Sequence, residues 1–283
     1  MNDTSTFLAA VVQMGSTSDE QANWETARHW IETAADRGAT FVSTPENTNY
    51  LGPHKEKVKQ AEPTSGATCA RFASLARDRG IYLLLGSYNE KAPGESERCY
   101  NTSVLFDPAG EIVATYRKIH LFDVDVSPEV RFLESKTAVP GEDLVTVDTP
   151  LARLGLTICY DMRFPELYLK LARDGAEVLT VPSAFTLMTG KDHWFPLLRA
   201  RAIETQCYVL AAAQTGRHDD RGLRHSYGHS VIIDPWGHVL ADAGDGPGIA
   251  MAEIDRRRVA EVRRSMPVAS HRRQIFLPYA QDR

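Results

Sequence analysis

Apolar and polar positions change period several times along the chain, and each change marks an element. FLAAVVQM (7–14) is an almost unbroken apolar run, the pattern of a strand buried on both faces. A period near 3.6 follows, in which Trp24, Ala27, Ile31 and Ala34 share one face, and Gly38 ends that helix. ATFVSTPEN returns to strand and breaks at Pro45-Glu46. A second helix is predicted over 65–79, with Phe72, Leu75 and Ala76 inward and Gly80 as its stop. IYLLLGSY (81–88) is another strand of the buried type.

The texture then shifts toward hairpins. NTSVLFD and EIVATYRK flank Pro108-Ala109-Gly110, and after a loop LVTVD and RLGLTICY read as a strand pair. Phe164, Leu167, Tyr168 and Leu171 share a helical face just beyond Cys159. EVLTVPSAF is a strand, 194–206 a helix and CYVLAAAQ a strand. HSVIIDPWGHVLAD turns at Asp234-Pro235-Trp236-Gly237, IAMAEID adds a last strand, and a basic helix and tail finish the chain. Helices alternating with strands in part of the chain, and hairpins in the rest, point to an α/β layered fold with mixed sheets rather than a βαβ barrel. No internal repeat, low-complexity stretch or long linker interrupts the pattern. One domain over 1–283 is expected, with its core at about 7–255 and a C-terminal tail at about 256–283.

Composition narrows the functional classes. Of 283 residues, 43% are hydrophobic and 24% charged, the range of globular proteins. A net charge of −5 gives no general attraction to nucleic acid or anionic membrane, and no apolar run approaches the ~18 residues that span a bilayer. The N-terminus lacks the basic start and long apolar stretch of a signal peptide. Cysteines at 69, 99, 159 and 207 are too far apart for a zinc pair or a dense disulfide framework, so a reduced, cytoplasmic setting is expected. In HDDRGLRHSYGH (218–229), His225 and His229 have a metal-like spacing, but Gly222 and Gly228 make the stretch a loop. Residues 256–283 carry eight Lys/Arg against Glu261 and Asp282; a solvated helix or a subunit contact is a better reading than a nucleic-acid site.

Candidate chemistry centres on GLTICYDMRFPELY (155–168). Cys69, Cys99 and Cys207 read as small buried hydrophobes. Cys159 ends a strand just before a helix, where backbone N–H groups and the helix dipole can favour a thiolate. An unperturbed thiol titrates near ~8.5, so a nucleophilic role needs that shift or a neighbouring base. His120, His193 and His229 are available, and so is Glu46, which also stands at a strand end; Lys118 follows a third strand.

Taken together, STPEN, YRKIHLFD and GLTICYDMRFPE resemble the three motifs of the nitrilase (carbon–nitrogen hydrolase) superfamily, in its order, at 46, 118 and 159. The resemblance runs from AAVVQM to SHRR. It implies a four-layer αββα sandwich with mixed β-sheets and a Glu46–Lys118–Cys159 triad. RFLESKT matches the segment that carries the family's second buried glutamate, here Glu134. SAFTLMTGKDHW, LLRARAIETQCYVLAAAQTGRH and HSYGHSVIIDPWG are similar to the Nit-type branch, most like deaminated glutathione amidases. KIHLFDVDV and FLESKT are at least as similar to the ω-amidases that act on 2-oxoglutaramate. The implied activity is hydrolysis of a primary amide of a small 2-oxo acid through a cysteinyl thioester. An ω-amidase, a nitrilase acting on C≡N and a catalytically silent scaffold are the competing readings. No metal or organic cofactor is implied, and the expected partners are a small-molecule amide and further copies of the chain.

The resemblance also places Tyr50, Phe185, Thr186, His193 and Trp194 on pocket-lining segments, with core packing as the competing reading for the aromatics. A backbone N–H at Tyr160 joins the oxyanion site. Arg163, four residues past the cysteine, is either in reach of a substrate carboxylate or paired with Glu166 at i, i+3.

Overall fold

The computed structural model describes residues 5–127, 130–218 and 224–273. The ends of the chain and 219–223, within the histidine-containing stretch considered above, lie outside the described residues. The first half runs β1 (Thr6–Gln13), α1 (Glu20–Asp36), β2 (Phe41–Ser43), α2 (His54–Lys59), α3 (Ala67–Arg79), β3 (Tyr82–Lys91), β4 (Cys99–Phe106), β5 (Ile112–Arg117), β6 (Asp123–Ser127) and β7 (Val130–Leu133). The second runs β8 (Val145–Asp148), β9 (Arg153–Leu156), α4 (Pro165–Arg173), β10 (Val178–Thr180), α5 (Leu187–Thr205), β11 (Tyr208–Ala211), β12 (Thr215–Arg217), β13 (His225–Tyr227), β14 (Val231–Ile233), β15 (Val239–Asp242), β16 (Gly248–Asp255), α6 (Arg256–Ser265) and α7 (Val268–His271).

Two six-stranded sheets form, ordered β16-β1-β2-β3-β4-β5 and β15-β14-β11-β10-β9-β8. In each, two successive parallel pairings occupy the centre and antiparallel strands flank them. The two halves thus share one pairing pattern although no sequence repeat marks it. Alternation along β1 explains the layering. Ala10 and Val12 face α1 and α3, packing with Ile31, Phe72 and Leu75, whereas Ala9 and Val11 point to the second sheet. That sheet buries its far face under α4 and α5 through Leu167, Leu171, Trp194 and Leu198. The result is the α, β, β, α stack.

Local chemistry sets the helix limits. Asp19 Oδ1 accepts from Gln21 N and Ala22 N at 3.0 Å, capping α1. Gly80, left-handed at φ 64, ends α3.

Three features depart from the sequence reading. α5 starts at Leu187 rather than 194 and runs through Pro196. The carbonyl left without an N–H partner belongs to exposed Asp192, where water can serve it. α2 has only one apolar residue, Val58, and the β6–β7 hairpin lies in a stretch expected to be loop; neither is long enough to establish a period. Within 218–229, expected to be loop, His225–Tyr227 is instead strand β13, which pairs antiparallel with β12, Tyr227 opposite Thr215.

Candidate active site

Glu46, Lys118, Glu134 and Cys159 come from four separate segments and meet beyond the C-terminal ends of the central strands, where open α/β sheets place their sites. Glu46 lies in the turn after β2. Thr44 N donates to Leu84 O at 3.0 Å and Ser87 N to Pro45 O at 3.2 Å, while Asn47, at φ 57, donates to Ser87 Oγ at 2.8 Å. Gly86 permits this approach: a Cβ there would lie 1.9 Å from Thr44 O and 2.7 Å from the Pro182 side chain.

Lys118 follows β5, its N–H held by Asn101 O at 2.9 Å. Its ammonium lies 2.8 Å from Glu46 Oε1 and 2.9 Å from Glu134 Oε2, with only 2% of the side chain exposed. Asn101 Nδ2 donates to both acids, at 2.9 Å to Glu46 and 3.2 Å to Glu134. Ala184 N donates to Glu46 Oε2 and Phe122 N to Glu134 Oε2, at 2.8 and 2.7 Å. Two acids and one base are thus locked in a row.

The charges follow from this row. Burial pushes the Lys118 ammonium down, but the Glu134 and Glu46 carboxylates outweigh it and hold the group well above its ordinary range. Burial likewise opposes ionisation of Glu134, yet Lys118, Lys57 and the hydrogen bonds from Lys118 and Phe122 bring it down to about 2. A carboxylate lowered on folding stabilises the fold above its unfolded value of 4.5 and loses that contribution as pH falls toward 2. Urea-unfolding midpoints should therefore drop between pH 4.5 and 2, and Glu134→Gln should flatten that segment; an unchanged slope would exclude the carboxylate as its source.

Cys159 opens a 3-10 turn, Cys159–Arg163, directly after β9. It is left-handed at φ 47, a conformation that costs a non-glycine residue ~1–3 kcal/mol and aims Sγ into the cavity. Its N–H donates to Pro182 O at 2.9 Å, so the next N–H at the start of the turn, that of Tyr160, is the one geometrically open to a ligand. The expectation of a thiolate favoured by the helix start is corrected. Burial and the adjacent Glu46 carboxylate push the thiol well above its ordinary value, with Lys118 and the Ala184 N–H opposing them. The Glu46 carboxylate lies beside the thiol in the same cavity, so a base is at hand although burial and that carboxylate disfavour a preformed thiolate.

Asp161, fully buried, fastens the turn. It accepts from Tyr116 Oη at 2.7 Å, Ile158 N at 2.9 Å and His120 N at 3.0 Å, and lies 2.7 Å from His120 Nδ1. His120, considered as a base, is therefore committed to this carboxylate and stacks on Phe164. Asp161→Asn turns an amide N–H toward these donors. It should cost about 2–3 kcal/mol in urea denaturation and lower kcat more than it raises KM, because the elbow and not the cavity wall is loosened; an effect on KM alone would contradict that.

The cavity encloses about 850 Å³ and opens to solvent. Tyr50, Tyr160, Phe185 and Thr186 line it, together with the four residues above. Arg163, His193 and Trp194 do not, which corrects their expected place. Arg163 Nη2 lies 3.3 Å from His193 Nδ1, behind the Phe185 ring, and Trp194 is fully buried with Nε1 donating to His229 O at 2.8 Å. The early start of α5 is the reason: Thr186 and Thr189 reach the cavity, and residues 193 and 194 fall a further turn along the helix. His229 faces Asp242, with Nδ1 at 3.0 Å. The sequence reading missed Asn101, Lys57, Phe122, Arg224 and His225. An asparagine inside an apolar strand such as NTSVLF was the one legible signal among them.

The carbon–nitrogen hydrolase family model matches residues 8–264. A deaminated glutathione amidase of Homo sapiens is 46% identical over 270 residues, covering 94% of this chain and 82% of that protein. One from Synechocystis sp. (strain PCC 6803 / GT-S) is 46% identical over 268 residues, covering 94% and 98%. The crystal structure of the C. elegans NitFhit protein superposes with a TM-score of 0.90 at 44% identity, over 95% of this chain and 65% of that longer one.

Proposed function

The chain belongs to the carbon–nitrogen hydrolase family, and on that premise we propose that it is an amidase hydrolysing the side-chain amide of a small 2-oxo acid, deaminated glutathione first among them, to the free acid and the amine, or to ammonia where the amide is primary. The observation that carries this reading is the buried carboxylate–ammonium–carboxylate row beside a single cavity-facing cysteine.

The steps follow from the geometry. Glu46 takes the thiol proton as Cys159 Sγ attacks the amide carbon, so a thiolate never has to persist in the buried site. The carbonyl becomes an oxyanion. An ammonium has three N–H donors; Glu46 and Glu134 engage two of those of Lys118, and the third is left for the oxyanion beside the Tyr160 N–H. Glu46 passes its proton to the leaving nitrogen, the C–N bond breaks and the amine departs, cysteinylglycine from deaminated glutathione or ammonia from a primary amide, leaving a thioester. Water then gives a proton to Glu46 as its oxygen attacks the thioester carbon. Collapse expels the sulfur, which recovers the proton, and the acid is released. Glu134 keeps Lys118 cationic and oriented throughout.

Release of the carboxylic acid product from deaminated glutathione, 2-oxoglutaramate and a simple nitrile, compared by kcat/KM, tests the substrate. Deaminated glutathione should lead. A clear preference for 2-oxoglutaramate would move the chain to the ω-amidases, and a preference for the nitrile would remove the amidase reading.

Two further readings belong to this proposal. All four cysteines are unpaired thiols, which suits a reducing, cytoplasmic setting. A homodimer or larger homo-oligomer is supported by Ile203 and Met266, 48% and 46% exposed, near where Gln206 Nε2 holds Met266 O at 2.7 Å. Among the described residues no helix is long and apolar enough to cross a membrane.

A further inference from the structure

Besides the catalytic row, the cavity is bordered by a buried ammonium that helps to hold Glu134 ionised but has no ion pair of its own among the described residues. Lys57 is 9% exposed and borders the same cavity as Cys159. It lies on α2, where Glu56 and Lys59 share the outer face and pair with each other at 2.9 Å in solvent. Lys57 is on the inner side. Among the described residues no carboxylate lies within ion-pairing distance of its ammonium, since Glu134 is bonded to Lys118 instead. Removing an ammonium from water without a partner is costly, so a buried lysine is retained where something anionic completes it.

The remaining walls agree. Arg224 borders the cavity too, its guanidinium 5.5 Å from the Phe132 ring. The cavity is lined by two carboxylates, Glu46 and Glu134, against three cations, Lys57, Lys118 and Arg224. Both carboxylates are engaged by Lys118, so among the described residues Lys57 adds a positive charge that no ion pair of its own offsets. Between these cations and the thiol, Phe122, Phe132 and Tyr160 offer apolar surface.

Resting on the amidase reading, we propose that Lys57 is a specificity-determining residue that binds a carboxylate carried by the substrate at the end remote from the amide. The substrate class is then an anionic amide: a short carbon chain with the scissile amide at one end and a carboxylate at the other. The amide goes to Cys159 and the carboxylate to Lys57. Its affinity comes from a charge-assisted contact in a largely desolvated place, and neutral amides of equal length lose that contact.

The test uses two amides of the same length, 4-carbamoylbutanoate, ending in a carboxylate, and pentanamide, ending in a methyl group. The readout is the ratio of their kcat/KM values. Lys57→Met should lower that ratio by about ten- to hundredfold, mainly through KM for the anionic amide, and Lys57→Arg should restore part of it. A ratio within threefold of wild type in Lys57→Met would overturn the proposal. So would a loss shared equally by both amides, the result expected if Lys57 served only to keep Glu134 ionised. Should Lys57→Met fail to fold, Lys57→Gln is read in the same way. Binding of glutarate by calorimetry gives a readout apart from turnover. If wild type hydrolyses neither these amides nor deaminated glutathione and 2-oxoglutaramate, the amidase reading fails. The Lys57 site then stands only if wild type binds glutarate more than threefold tighter than the variant.

Discussion

Cys159→Ala is expected to lower kcat by roughly a millionfold, the scale reached when the nucleophile is taken from another hydrolase that works by covalent catalysis. The other three cysteines cannot replace it. Cys69, Cys99 and Cys207 are buried away from the cavity, and burial raises each thiol further from ionisation. The change should leave the fold intact, because it relieves a left-handed residue of its side chain beyond Cβ and leaves the row of Glu46, Lys118 and Glu134 in place. Substrate binding should persist. Wild-type turnover in Cys159→Ala would remove the thioester mechanism, whatever became of the fold.

Lys118→Met should show two separable losses. The first is chemical: without the third N–H, the oxyanion loses a donor of a kind worth about 3–4 kcal/mol, so kcat falls at least several hundredfold. The second is structural. Methionine fills much of the volume, but Glu46 and Glu134 are left buried with no cation between them, and breaking such a contact costs about 3–5 kcal/mol. The sign with pH distinguishes this from lost packing. In wild type Glu134 is ionised down to about 2, and its contribution holds through pH 5. Without Lys118, burial pushes the carboxyl above its ordinary 4.5, so the folded variant binds protons that the unfolded chain does not. Stability of Lys118→Met should therefore rise from pH 7 to pH 5, where wild type is flat or falls. Urea midpoints at the two pH values measure it, and parallel curves would show that the acids do not depend on Lys118.

The sequence was most informative where one short-range rule dominates. The helix carrying Ala27, Ile31 and Ala34 and the apolar runs at 7–14 and 81–88 are set by burial of one or both faces, and the structure has them within a few residues. The three motifs led to Glu46, Lys118 and Cys159 because each follows a strand end, and to Glu134 through its matching segment. Where several weak signals competed, the reading was less complete. In α2, six residues with five charged or titratable side chains gave no period, and Lys57 was missed with the helix. α5 was started too late because Gly190 looks like a break, although Gly190 is there because Tyr227 leaves no space for a Cβ, which would lie 2.4 Å away.

What the sequence alone determined is therefore the layered α/β class, the family resemblance and the identity of four polar residues at strand and loop ends, all of which depend on local pattern. Tertiary structure alone decided the sense of the charges. Whether Cys159 is a thiol or a thiolate depends on Glu46, more than a hundred positions earlier, and on burial by two sheets that the chain closes only when β16 returns to β1. It also decided that Lys57 faces inward while Arg163, His193 and Trp194 stand behind the wall. Electrostatic and steric terms act through space over a few ångströms. A linear pattern carries them only where chain neighbours are also spatial neighbours, and at this site they are not.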